Sequence, residues 1–211
     1  LMALRAVPDG DEYDKDIALA IRYAVDQGAK VINASFGKKF SPNASWVQEA
    51  LRYAAAKDVL FVHAAGNDGV NLDLSENPNF PNDAYSQSSP STENNYLSVG
   101  ALTPYYGPNL IASFSNYGKK GVDIFAPGDE IYSTLPNSNY GVEGGTSMAA
   151  PAVAGMAALI RSLYPQLTAV QVKGIILDSG LSIPMKVRVG EEELSLAELC
   201  VSGKIANLYT A

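Results

Sequence analysis

The sequence predicts an α/β fold of three layers, a mostly parallel, twisted sheet with helices on both faces. Three observations predict it. Two apolar runs of strand length, Lys30-Val31-Ile32-Asn33-Ala34-Ser35 and Val59-Leu60-Phe61-Val62-His63-Ala64-Ala65, are near-continuous, as strands buried on both faces are. Segments with apolar residues at helical spacing alternate with them, the rhythm of a parallel sheet covered by helices. The chain has 211 residues, 47% hydrophobic and 18% charged, enough for one domain with a sizeable core.

The elements follow in order. Residues 2–7 read as a short buried strand, and Asp9-Gly10-Asp11 as a turn. Asp14 or Asp16 is placed to cap a helix over about 16–27, with Ile17, Ala20, Ile21, Ala24 and Val25 on one face and Gly28 as its stop. The strand at 30–35 leads through Gly37, Ser41 and Pro42 to a second amphipathic helix at about 44–57. The strand at 59–65 follows. From Gly66 to Ser91 the chain is polar and rich in Asn, Ser, Asp and Pro, a long surface excursion of the kind that often carries function. Short strands are expected at about 95–101 and 110–114. Val122–Phe125 and Glu130–Thr134 flank the turn Ala126-Pro127-Gly128. A helix over about 147–164 ends before Pro165, and Thr168 caps another to about 178. Residues 181–211 hold a hairpin from Met185 to Leu194 and a short closing helix. They read as the closure of the domain formed by 1–180.

Composition excludes some roles. Net charge is −7, and no Lys/Arg cluster exceeds Lys38-Lys39 or Lys119-Lys120, which argues against a nucleic-acid partner. Cys200 is the single cysteine, so no internal disulfide forms. No apolar run in the sequence reaches the roughly 18 residues of a membrane span. The chain opens on the strand-like run Leu1 to Val7 and reads as part of a longer polypeptide, so the lack of a signal peptide says nothing about export.

The chemistry concentrates in Gly144-Gly145-Thr146-Ser147-Met148-Ala149-Ala150-Pro151. A helix starting at this serine aims unpaired N–H groups and the positive end of its dipole at whatever lies above it. That suits a nucleophile whose reaction builds charge on an oxygen. A Ser/Thr cap on a buried helix explains the same stretch equally well. Pro151 is expected in the first turn, where no N–H is needed.

Together with three other segments, this stretch resembles the subtilisin-like serine proteases, or subtilases. The resemblance rests on Gly145 to Pro151 with Val153-Ala154-Gly155, on Ala64-Ala65-Gly66-Asn67, on Val31 to Gly37, and on Phe114 to Gly118 with Ala126-Pro127-Gly128. The motifs occur in the family's order and cover nearly all of residues 1–180. The resemblance implies a subtilisin-like sheet lacking its N-terminal strands. It implies Ser147 as nucleophile and Asn67 as oxyanion-hole donor. Ser35, Phe36 and Gly37 match the edge that pairs with substrate backbone. Ala65 and Gly66 match the opposite wall of the first side-chain pocket, and Thr146 joins the substrate-binding set. It also implies a polypeptide substrate and secretion or a cell-envelope location. Calcium is common in the family, but no ligands are assigned; Asp68, Asp73, Asp83 and Asp123 read as solvated loop carboxylates. Phe36, Tyr105, Tyr106 and Tyr140 are expected to border pockets.

Two expected parts are missing. The family's triad runs Asp, His, Ser, and both Asp and His precede the strand that 2–7 resembles. The single histidine, His63, sits in an apolar strand on the order of 13 Å from the oxyanion side. It reads as a core or pocket-side residue. Ala152 stands where the family often has a non-catalytic histidine. In the family the Asp-bearing strand lies between those matched by 2–7 and 31–35, so an exposed edge at 31–35 is expected, open to the missing N-terminal segment or to another copy. Two readings follow: part of a serine endopeptidase, inactive alone, or a pseudoenzyme that binds extended peptides uncut. An α/β-hydrolase fits badly, since Gly145-Thr146-Ser147-Met148-Ala149 lacks the second glycine of G-x-S-x-G.

Overall fold

The computed structural model describes residues 1–7, 10–82 and 94–211. Strands β1 (Val31–Ala34), β2 (Leu60–Ala64), β3 (Tyr96–Leu102) and β4 (Ile124–Pro127) form one parallel sheet in that spatial order. The predicted fold class is the one observed. Alternating side chains decide the layers. Leu60, Val62 and Ala64 of β2, with Leu97, Val99 and Ala101 of β3, face one side. There they meet α3 (Thr146–Leu163) and α4 (Ala169–Asp178). Phe61 and Tyr96 face the other side, against α1 (Asp14–Asp26) and α2 (Ala44–Ala56). Apolar residues at helical spacing, Ile17, Ile21 and Val25 on α1 and Val47, Leu51 and Ala54 on α2, supply that layer.

A third apolar cluster lies over Phe125. It gathers Leu110, Ile111 and Val122 with Val187, Leu196 and Leu199 from the C-terminal stretch. There β7 (Val187–Val189) and β8 (Glu192–Leu194) form the expected hairpin, shorter than Met185–Leu194, and α5 (Leu196–Leu199) is the closing helix. A further hairpin, β5 (Ile131–Leu135) with β6 (Asn139–Glu143), leads directly into α3.

Several expectations are corrected. Residues 1–7 form no strand; Leu1 to Arg5 are exposed, while Ala6 and Val7 lean on the α1/α2 cluster. An apolar run becomes a strand only against a partner ladder, and this one has none. Residues 110–114 make a single bridge, Ile111 with Leu102, instead of a strand. Among the described residues the four strands are contiguous, with β1 at one end as the expected edge.

Neither Asp14 nor Asp16 caps α1, whose N-cap is Tyr13. Asp14 instead accepts from Ser41 Oγ (2.6 Å) and Asn43 N (2.8 Å) and pairs with Lys38 (2.7 Å). Burial alone would raise this carboxyl, but the hydrogen bonds from Lys38, Ser41 and Asn43 hold it below its ordinary value. The network ties the segment after β1 to α1.

By length and composition α3, with 18 residues, could cross a membrane. That revises the reading of the sequence. In the structure this helix packs on all four strands, with half of it buried.

Thr168 caps α4 as expected. Its hydroxyl accepts from Gln171 N (3.2 Å), and Gln171 Oε1 accepts from Thr168 N (2.9 Å). Thr168→Ala is expected to cost about 1 kcal/mol of stability, read by denaturant unfolding at unchanged m-value. A loss below about 0.3 kcal/mol would show that the box is ornamental.

Candidate active site

α3 begins two residues earlier than a cap at Ser147 requires. Gly145 is the N-cap and Thr146 the first helical residue, so Ser147 lies second. Position decides what each amide does. Thr146 N–H donates to Asn67 Oδ1 (2.9 Å), and Met148 N–H folds back to Gly145 O (3.0 Å). Ser147 N–H has no acceptor among the described residues.

Asn67 is held by its other end. Its Oδ1 also accepts from the Thr146 hydroxyl (2.9 Å). With the carbonyl end fixed, the amide end Nδ2 faces away from Thr146 and donates to no described residue. A Cβ placed on Gly145 would lie 3.4 Å from Asn67 Nδ2 and 3.6 Å from Ser147 N. Two unsatisfied donors therefore converge beside Ser147, on a spot kept open by a glycine. Thr146, which is fully buried, binds the opposite wall as well: its Oγ1 accepts from Gly66 N (3.0 Å).

Gly66 and Ala65 are anchored from beneath by Asn116. Asn116 Nδ2 donates to Ala65 O (2.9 Å), and its Oδ1 accepts from Asp68 N and Val70 N (both 3.1 Å). Gly66 has φ +100°, and a Cβ there would collide with Asn116 Nδ2. Only glycine fits this turn. Asn116 lies in the Phe114 to Gly118 motif, but nothing in the sequence alone marks it as the brace between two loops.

The substrate-edge candidates meet the serine directly. Ser147 Oγ donates to Ser35 O (3.2 Å), and Ser35 Oγ donates to Ser147 O (2.8 Å). Pro151 explains the second bond. It lies beyond the first turn, contrary to expectation, and has no N–H to offer the carbonyl four residues back. That carbonyl is Ser147 O, and Ser35 satisfies it. Phe36 turns its half-buried ring toward His63 (6.3 Å, edge-on), and Gly37 is exposed. The structure thus brings together Ser147, Thr146, Asn67, Ser35, Ala65 and Gly66. Tyr105 bonds Glu130 (2.7 Å) and Tyr140 stacks on Tyr132 (5.9 Å), contacts that place neither against Ser147.

His63 is fully buried. Its Nε2 donates to Phe36 O (2.6 Å), and Nδ1 lies 2.6 Å from the Tyr96 hydroxyl, which donates to Pro81 O (2.9 Å). Burial lowers its pKa to about 4, against a partial opposing effect of the Phe36 carbonyl. The unfolded chain takes up a proton near pH 6.5 and the folded chain only near 4. Stability from this residue is therefore complete above about pH 6.5 and falls as pH drops toward 4, by roughly 3 kcal/mol in all. His63→Gln is expected to flatten the fall in melting temperature between those values. An unchanged slope would assign that fall to other groups.

The acidic candidates divide. Asp123 is buried and ion-paired to Lys173 (2.8 Å), so it is not a solvated carboxylate. Asp73 accepts from Lys120 N and Gly121 N (both 2.9 Å), joining two loops. Asp68 pairs with Lys39 (2.6 Å). Asp83 lies outside the described residues. Among these residues no group of three or more His, Cys, Asp or Glu side chains is arranged to hold a metal, and no calcium ligands are assigned.

Known proteins resemble this chain in sequence and in fold. The model of the subtilase family matches residues 1–195. A thermophilic serine proteinase of Bacillus sp. (strain AK1) is 39% identical over 163 residues, 77% of this chain and 36% of that protein. A cell wall-associated protease of Bacillus subtilis (strain 168) is 40% identical over 181 residues, 85% of this chain and 18% of that protein. The chain thus spans far less than two thirds of these relatives' length. The solved structure of a cold-adapted subtilisin-like serine proteinase superposes with a TM-score of 0.70 at 26% identity, over 92% of this chain and 62% of that one. With the family's motifs converging on the start of α3 and its model matching nearly the whole chain, the protein belongs to the subtilase family.

Proposed function

We propose that this chain carries the nucleophile, the oxyanion donors and the substrate edge of a serine endopeptidase. The observation that carries the reading is the pair of unsatisfied donors, Ser147 N–H and Asn67 Nδ2, flanking one open spot beside the Ser147 hydroxyl. In peptide-bond hydrolysis Ser147 Oγ attacks the scissile carbonyl. The carbonyl oxygen gains charge, and both donors are already aimed where that charge grows. Asn suits the role because a neutral amide donates without capturing a proton. Ser35 to Gly37 offers backbone to an extended peptide on one side of the serine, and Ala65-Gly66 lines the other.

A serine hydroxyl needs a base. Ser147 Oγ bonds a backbone carbonyl, and the chain's single histidine is occupied in the core. The base and its orienting acid are proposed to come from a preceding segment of the same protein, docking along the free edge of β1. The chain alone is then expected to hydrolyse peptides little or not at all. The same edge leaves self-association open to the isolated chain. The absence of a base beside Ser147 is also what favours the second reading, a subtilase-fold protein that holds extended peptides without cutting. Relatives of the cell wall-associated kind support an extracellular or cell-envelope setting.

A fluorophosphonate probe tests the proposal. In the longer protein, with the upstream segment present, Ser147 is expected to be labelled and Ser147→Ala to remain unlabelled. This chain alone is expected to label far more slowly. No labelling of Ser147 in the longer protein would overturn the enzyme and leave the peptide-binding reading.

A further inference from the structure

We propose that His63 is a positioning residue for the substrate edge: its imidazole pins the backbone of Phe36 so that residues 35–37 are already in place when an extended peptide pairs with them. The inference rests on the reading of 35–37 as the edge that receives substrate backbone.

The ladder between β1 and β2 ends at the pair Ala34–His63. Past it the backbone groups of residues 35–37 need other partners. Ser35 finds one in Ser147, through the two bonds given above. Lys38 finds one in Phe80: Lys38 N donates to Phe80 O (3.1 Å), and Phe80 N donates to Lys38 O (2.8 Å). Phe36 lies between these ties, and its carbonyl accepts from His63 Nε2 (2.6 Å). No other hydrogen bond from a described residue reaches the backbone of Phe36 or Gly37. The His63 side chain thus supplies a rung where the ladder has stopped.

The ring is itself held. By alternation it shares a face of β2 with Phe61, and Phe36 packs on the same apolar cluster. Phe61 stacks on the imidazole at 6.2 Å between centroids, and the Tyr96 ring lies at 5.7 Å. Nδ1 meets the Tyr96 hydroxyl, which is bonded to Pro81 O. Pro81 adjoins Phe80, the residue that bridges Lys38. The contacts close a circuit, from Phe36 through His63, Tyr96 and Pro81 to Phe80 and Lys38. One element of that circuit, the imidazole, ties the middle of the edge to the sheet.

Both ring nitrogens are engaged in the interior, so His63 acts through the edge and not on the reacting atoms. Without its N–H the Phe36 carbonyl is left unpaired, and the edge loosens toward water. Each arriving peptide must then order the edge again, which weakens binding and leaves the step at Ser147 alone. A peptide that pairs with the whole edge bears that cost; a single residue bears little of it.

The experiment uses the longer protein and two p-nitroanilides with the same final residue, an acetylated tetrapeptide and an acetylated single amino acid. In His63→Met, which fills the space and has no donor, KM for the tetrapeptide relative to the single residue is expected to rise about 5- to 10-fold. His63→Gln, which keeps an N–H donor, is expected to return the ratio to within about 2-fold of the unaltered protein. An equal rise for both substrates, a fall confined to kcat, or a His63→Gln as impaired as His63→Met would overturn the inference. Should His63→Met fail to fold by circular dichroism, Tyr96→Phe decides, since it keeps the ring stack and removes the hydroxyl beside Nδ1. The ratio must then rise in that variant, and an unchanged one overturns the inference. Ser147 labelling reports separately on the protease. If Ser147 is unlabelled and neither substrate is cut, the same ratio is read from calorimetric dissociation constants of the two uncut compounds, and the same shift is expected.

Discussion

Under the proposed function, replacing Asn67 by Asp in the longer protein is expected to lower kcat by about 10²–10³ while leaving KM nearly unchanged. That magnitude is carried over from a subtilisin that lost one oxyanion donor; only the direction comes from the present geometry. The choice of Asp matters. Asn67 Oδ1 accepts from both Thr146 N and Thr146 Oγ1, so Asn67→Ala would also strand a buried hydroxyl and a helix-end amide. Asp keeps the acceptor and removes the donor, and it places a negative charge where one must develop. Asn67→Ala is therefore expected to add a stability loss of about 1–3 kcal/mol that Asn67→Asp largely avoids. Steady-state kinetics beside thermal unfolding separates the two. A KM rise with constant kcat would mean that Asn67 binds substrate and not the developing oxyanion.

The largest stability effect is expected at Lys173. Its ammonium, on α4, pairs with Asp123 Oδ1 (2.8 Å), donates to Asn94 Oδ1 (2.8 Å) and reaches the Tyr96 carbonyl. Asp123 Oδ2 accepts from Ser98 N (2.7 Å). Lys173, Asp123, Tyr96 and Ser98 are all buried. Lys173→Met strands the carboxylate and is expected to cost about 3–5 kcal/mol. At this chain length the melting temperature should fall by roughly 10 °C. The double variant Lys173→Met with Asp123→Leu is expected to regain most of that, because it removes both charges from the interior. A double variant as unstable as the single one would show that the backbone bond to Ser98 carries the stability, and not the pairing.

The four sheet strands and four larger helices were legible because burial leaves a period in sequence. β2 reads Leu60 to Ala64 without a polar break other than His63, and α1 repeats its apolar residues at helical spacing. Ser147 and Asn67 were legible as types in a motif. What escaped depends on contacts remote in sequence. Residues 2–7 look like a strand but lack a ladder to join. Asp123 looks like a loop carboxylate until Lys173, fifty positions away, closes on it. β6 was missed because its residues face solvent and carry no apolar alternation; its turn, with Asn137 and Ser138 both at left-handed φ, was the readable part. Asn79 lay in a polar stretch whose composition announces a loop and hides that its amide binds the Ala64 and Ala65 carbonyls. Pro151 was misplaced by two residues because the motif suggests a helix capped at Ser147, whereas Gly145 supplies the cap.

The spatial order of the sheet matches the order of the chain, β1 through β4, and α3 follows them all. During synthesis each strand can be laid beside the one before it as the chain emerges. The helix that crosses all four comes after the sheet it covers. Ser147 rides on the first turn of that helix, and its neighbours Ser35, Gly66 and Asn67 have been waiting on strands and loops already made. Ser147 is thus the last of this group to take its place. A chain halted before α3 holds Ser35, Gly66 and Asn67 with no serine between them.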